Sequence, residues 1–237
     1  MGKFLRIVAI ISMGLTAVQT LLGAIGSVCI SWFPEKYESL AVVAPYKSVY
    51  QIATVFTFVA AFIGIAATVA LVRGKSWAYR TALGALLLGI ATAGTKMYFS
   101  NMLRGSTAPT NMRFYLTIFT LIVFLLLRIP GVWEKAGLTR SGKDGSSSAA
   151  AGTAMLLGGL LSLTIPIWAG PSHIMDGYNL VLVLKIPLLL GGGALALIGI
   201  GLLTRAVLKK TSAPRVYQMT GWRRRSHRSR QVGEFSR

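Results

Sequence analysis

Six apolar stretches alternate with short polar connections along the chain, at residues 7–30, 51–72, 81–100, 114–133, 149–169 and 179–204. A bilayer core of about 30 Å takes about 20 predominantly apolar residues as a helix, so the pattern predicts six transmembrane helices. The fourth stretch is the least regular. It is unbroken only from Phe114 to Leu127, and it spans if Arg128 snorkels to the interface. Without it the count is five. The fold class read from the pattern is all-α, a polytopic membrane bundle of six helices.

Charge in the connections sets the orientation. Nineteen of the 25 Lys and Arg residues fall in residues 1–6, 73–80, 128–143 and 205–237. Only Lys36, Lys47, Arg104 and Arg113 lie in the alternate connections, and Lys96 and Lys185 lie within spans. Cytoplasmic loops carry the excess of basic residues. Both termini are therefore predicted to be cytoplasmic (N-in/C-in), with the chain integral to a plasma (inner) membrane. Trp32 and Trp168 at the outer ends, and Trp77 and Trp133 at the inner ones, fit interfacial aromatic belts, as do Tyr50, Tyr115 and Tyr178. The first apolar run exceeds the 7–15 residues of a signal core, so an uncleaved first helix is expected.

The connections suggest an organisation. Residues 1–133 form a four-helix block and residues 149–208 a two-helix hairpin. Residues 134–148, rich in Gly, Ser and mixed charge, read as a flexible cytoplasmic linker loop. Residues 209–237 are a basic cytoplasmic tail. Glycines punctuate the third, fifth and sixth spans, where small residues let membrane helices approach closely. In the sixth, Pro187 and then Gly191, Gly192 and Gly193 suggest a weakened helix. Breaks of that kind can free backbone groups for a solute.

Composition narrows the chemistry. Of 237 residues only 13% are charged, against about a quarter in soluble domains, and the formal net charge is +19. The lone Cys29 excludes a disulfide scaffold. His173 and His227 lie outside the spans, which leaves a haem in the membrane without histidine ligands. All six acids (Glu35, Glu38, Glu134, Asp144, Asp176 and Glu234) also lie outside them. Proton- and cation-coupled carriers keep a carboxylate within the membrane, so that class is disfavoured. No catalytic residue, metal site or cofactor is predicted.

Two lysines stand out. At 1.5 Å rise per residue, Lys96 and Lys185 lie about 9–12 Å inside the outer helix ends. Lys96 shares a helical face with Gly89, Thr92, Ala93 and Ser100, a small and hydroxylated stripe that points it into the bundle. The face of Lys185 is ambiguous, and either amine can instead snorkel outward. If they line an outer cavity, Asn101 and Arg104 from one loop, and His173 and Asp176 from the other, form its lid. Within that second loop, Asp176-Gly177 reads as a turn and Tyr178-Asn179 as the start of the sixth helix. In the tail, Arg223, Arg224, Arg225, Arg228 and Arg230 fit anionic lipid or an acidic partner. Only Tyr217 and Trp222 interleave the tail's basic residues and no RNA-binding motif is present, so nucleic acid is a weaker match.

Two functions follow. The first is a non-catalytic subunit or scaffold of a membrane complex. Its glycine-rich faces dock other subunits or a second copy, and its tail binds anionic inner-leaflet lipids. The alternative is a small carrier or channel for an anionic or neutral solute, held in an outward-facing polar cavity.

Overall fold

The computed structural model describes residues 2–138, 145–175 and 177–211. They are helical except for turns and a two-residue antiparallel ladder, β1 (Ile174–Met175) with β2 (Tyr178–Asn179). The long helices are α1 (Gly2–Gly26), α3 (Lys47–Arg73), α4 (Ala78–Arg104), α5 (Thr110–Leu126), α7 (Ser146–Trp168) and α9 (Lys185–Thr211). Short helices α2 (Val28–Trp32), α6 (Val132–Ala136) and α8 (Leu180–Val183) flank them. Residues Glu38–Tyr46 lead into α3 as a 3-10 turn.

Five segments are long and apolar enough to cross a membrane: Phe4–Gly26, Glu38–Arg73, Ala78–Arg104, Ser146–Trp168 and Lys185–Lys209. The fourth predicted span departs from expectation. It begins at Thr110, ends at Leu126 and has 17 residues, about 26 Å of helix. Pro130 explains the early end, because the residue before proline is pushed out of the helical region. Gly131 then turns the chain at φ 79° into α6. Of the expected linker, residues 134–136 belong to α6, Ala136 and Leu138 are buried, and residues 146–148 form the first turn of α7; residues 139–144 lie outside the described part.

The sixth span is interrupted at Leu184, between α8 and α9, and not along Pro187 to Gly193. Pro187 occupies the first turn of α9, where its missing N–H has no intrahelical role. The three glycines continue as regular helix. Elsewhere, Gly74 and Gly105, both at φ 66°, end α3 and α4 in the left-handed conformation that glycine adopts without strain.

Lipid tails are as apolar as leucine, so close packing rather than hydrophobic burial holds membrane helices together. α1 packs on α3, α3 on α4, α4 on α5 and α5 on α1; α7 lies on α1 and α9 on α7. Small residues permit these contacts. A Cβ on Gly14 would come within 2.7 Å of the Ala154 Cβ, and one on Gly64 within 3.2 Å of the Ala17 Cβ. The α7–α9 contact is closer still. A Cβ on Gly159 would meet the Gly192 carbonyl oxygen and the Ala196 nitrogen at 2.6 Å, and one on Gly199 the Leu156 nitrogen at 2.6 Å. Interhelical hydroxyl pairs, Thr16 with Thr120 and Ser31 with Thr54, each 2.7 Å apart, add directional ties.

All six long helices run between the same two ends. At one end, Arg6 donates to the carbonyl oxygens of Gly137 and Leu71 at 2.9 and 3.4 Å. The Tyr79 hydroxyl donates to the Phe124 carbonyl there at 3.1 Å. Gly145 lies beside Ala206, which brings the start of α7 to the end of α9. Arg6, Arg73, Lys75, Arg80, Arg128 and Lys135 gather at this basic end. Just inside it, Ile10, Met13, Leu71, Leu86, Phe124 and Leu127 are at most 1% exposed and form a continuous apolar plug. The opposite end is looser and contains a cavity.

Candidate functional site

The cavity holds about 440 Å³ and is walled by the C-terminal turns of α1, α4 and α7, the first turns of α3, α5 and α9, and α2 and α8. That volume lies in the usual range for small-molecule sites. Its lining is divided. One wall carries Lys96, Ser100 and Arg104 from α4, Arg113 from α5 and Tyr50 from α3. The rest is mainly apolar, with Leu22 and Ile25 of α1, Ile165 and Trp168 of α7, and Val181, Leu184 and Leu188 along the sixth span, and it also includes Gln19, Ser27, Thr110 and His173.

The stripe on α4 behaves as its spacing predicts. Gly89, Thr92, Ala93, Lys96 and Ser100 are all buried, and Lys96 is only 4% exposed. Its ammonium has no hydrogen-bond partner. Arg113 occupies the first turn of α5, on one face with Thr117 and Thr120, and is 5% exposed. Both terminal guanidinium nitrogens, Nη1 and Nη2, are buried without a partner. Room for this side chain comes from α1, since a Cβ on Gly23 would stand 3.1 Å from the Arg113 Cδ. The Tyr50 hydroxyl, on a residue 3% exposed, is a third unpaired donor.

Charge here is of one sign. Arg113 and Lys96 repel each other across the site. Among the described residues no acidic side chain lines the cavity. Glu35, at the same end, is engaged elsewhere: its carboxylate accepts from the Lys47 ammonium at 2.9 Å, which holds its pKa below the ordinary carboxylate value. Two buried cations without counter-charge carry a large desolvation cost, and an anion in the cavity would offset it. The described residues contain no group of three His, Cys, Asp or Glu side chains able to hold a metal.

Three residues predicted from sequence, Lys96, Arg104 and His173, meet in this cavity. His173 contacts the Ala169 carbonyl through Nδ1 at 2.8 Å. Lys185 is exposed at the start of α9, and Asn101 is exposed on α4; neither lines the cavity. Lys185 is displaced because the break at Leu184 turns Val181, Leu184 and Leu188 inward in its place. Asp176 and the tail residues Arg223, Arg224, Arg225, Arg228 and Arg230 lie outside the described residues. The turn expected at Asp176-Gly177 is reflected in Gly177, at φ 81°. Tyr178-Asn179, expected to start the sixth helix, instead forms β2, and Asn179 caps α8, its side chain accepting from the Val181 N–H at 3.1 Å.

Arg113 is the residue that sequence reasoning missed. Placed in an outer loop by the fourth-span boundary, it lies inside the bundle because α5 starts at Thr110. The stripe Arg113, Thr117, Thr120 is the same signal that located Lys96. A second, open groove at the basic end is lined by Trp77, Tyr79, Arg80, Arg128 and Trp133, with the Arg128 guanidinium 5.2 Å from the Trp133 ring centre. No known protein family, curated protein or solved structure matches the chain.

Proposed function

We propose that this chain is a six-helix integral membrane carrier for an anionic solute, which binds in the cavity between α1, α4, α5 and the sixth span. One observation carries the reading: Lys96 and Arg113, each at most 5% exposed, line the same cavity and carry buried nitrogens without a hydrogen-bond partner. The distribution of basic residues supports both termini being cytoplasmic and the cavity facing outward. α5 crosses with the others in this arrangement, its short length accommodated by local thinning of the bilayer. The basic tail adheres to anionic inner-leaflet lipid.

The subunit or scaffold role has less support. Gly192 and Gly199, two of the sixth-span glycines that would dock a partner, are occupied by Gly159, Gly152 and Leu156 of the same chain.

The test is thermal unfolding of the purified protein in neutral detergent with acetate, inorganic phosphate, butyl phosphate, laurate or dodecyl phosphate, against chloride at equal ionic strength. A ligand at one hundred times its Kd stabilises the folded state by about 2.7 kcal/mol. At least one anion is expected to raise the midpoint of the wild type and not that of Lys96→Met or Arg113→Met. If no anion shows that dependence, the carrier reading is wrong.

A further inference from the structure

The two walls of the cavity differ in chemistry, and the difference specifies a class of solute. We propose that the carried anion is a single-chain amphiphile with a phosphate monoester head, its head between Lys96 and Arg113 and its chain along the apolar wall. The proposal rests on the carrier reading above and narrows it.

Charge selects the head. Two residues with buried, unpaired cationic groups line the cavity, and no acidic side chain is among the described lining residues. A phosphate monoester carries about −1.5 to −2 at pH 7 and three strong acceptor oxygens, which matches two cations where a carboxylate neutralises one. The planar guanidinium of Arg113 is suited to bidentate contact with phosphate, and the Lys96 ammonium acts as a point charge. The unpaired Tyr50 hydroxyl supplies a neutral donor to the same head.

Shape and exposure select the chain. Small inorganic anions have no use for a wall of Leu22, Ile165, Val181 and Leu188. That wall reaches the surface, where the lining residues Ile25, Trp168 and Val183 are 37%, 43% and 76% exposed. In a bilayer, an apolar surface at the level of the helix ends meets acyl chains. A chain can thus lie partly in the cavity and partly in lipid while its head is drawn about 12 Å inside the end of α4.

The experiment is native mass spectrometry of the protein released from neutral detergent, titrated with inorganic phosphate, butyl phosphate, dodecyl phosphate and laurate. Each buried methylene adds about fourfold to affinity, so dodecyl phosphate is expected to bind at least a hundredfold tighter than butyl phosphate. Binding should fall tenfold or more in Lys96→Met and Arg113→Met and return in Lys96→Arg. Laurate should bind more weakly than dodecyl phosphate. Equal binding of inorganic and dodecyl phosphate, both dependent on Lys96, would overturn the amphiphile and leave the anion carrier standing. Equal binding of laurate and dodecyl phosphate would overturn the phosphate head. Dodecyl phosphate bound equally by the wild type and both methionine variants, with no other anion sensitive to them, would overturn both readings.

Discussion

Replacing Lys96 by methionine should make the empty protein more stable, which is the reverse of what most core substitutions do. Methionine keeps the unbranched apolar stem and removes only the ammonium, which has no partner and is repelled by Arg113. A lysine at the centre of a membrane helix costs about 2.5–3.5 kcal/mol on insertion scales, and less towards the interface. Lys96 lies about 12 Å inside the end of α4, so the gain expected for Lys96→Met is about 1–3 kcal/mol. Unfolding would be followed in neutral detergent by intrinsic fluorescence, with no phosphate or carboxylate present. The same variant should lose the stabilisation that a bound anion gives, so the midpoints of wild type and variant converge or cross as ligand is added. That pairing is the signature of stability given up for a binding site. Destabilisation by 1 kcal/mol or more in the empty state would refute the reasoning, because it would mean that the ammonium makes a stabilising interaction of its own.

Neighbouring glycines in the α7–α9 hairpin should respond oppositely to alanine. Gly159→Ala forces a Cβ to 2.6 Å from backbone atoms of α9 and should destabilise by about 1–3 kcal/mol. Gly193→Ala meets nothing within 4 Å and should be neutral or stabilising by up to about 1 kcal/mol; equal effects in equilibrium unfolding would contradict the packing. Gly23→Val should push Arg113 aside, and the phosphate-dependent rise in midpoint should shrink more than the midpoint of the empty protein falls. Because Lys47 holds the Glu35 pKa below its ordinary value, their pair contributes above the ordinary carboxylate range and is lost as pH falls through the lowered value. A Glu35→Gln variant should therefore match wild type at low pH and differ slightly at neutral pH, the pair being exposed. Truncation after Lys210 should weaken sedimentation with anionic vesicles while leaving dodecyl phosphate binding unchanged.

The helices were legible because a bilayer demands apolar runs of fixed length, and five of them appear with small shifts at the ends. The fourth was misjudged at both ends. Hydropathy counts Ile129, Val132 and Trp133 as span, but Pro130 ends the helix regardless of how apolar its neighbours are. At the other end, hydropathy leaves out the polar first turn Thr110, Asn111 and Arg113, and so places Arg113 in a loop. The cavity was half legible: the periodicity around Lys96 located the polar wall on α4. The break at Leu184 could not be read, because Pro187 and the glycine run offered a stronger local signal than the packing that sets the actual bend. Which glycines face another helix and which face outward also depends on the rotation of α9 on α7, and that is a tertiary property.

The apolar plug near the basic end has an electrical consequence. A membrane potential falls mainly across the least conducting layer, and here that layer is the packed stretch containing Ile10, Met13, Leu71, Leu86, Phe124 and Leu127. In the proposed carrier, with the cavity facing outward, the space above the plug carries the outer potential down toward Lys96 and Arg113. Capture of an anion by those two residues is then nearly insensitive to voltage. Passage of one elementary charge through the plug, by contrast, is worth about 2.3 kcal/mol per 100 mV. If the proposed carrier moves its anion through the plug, voltage acts on that crossing step and leaves the capture step almost untouched.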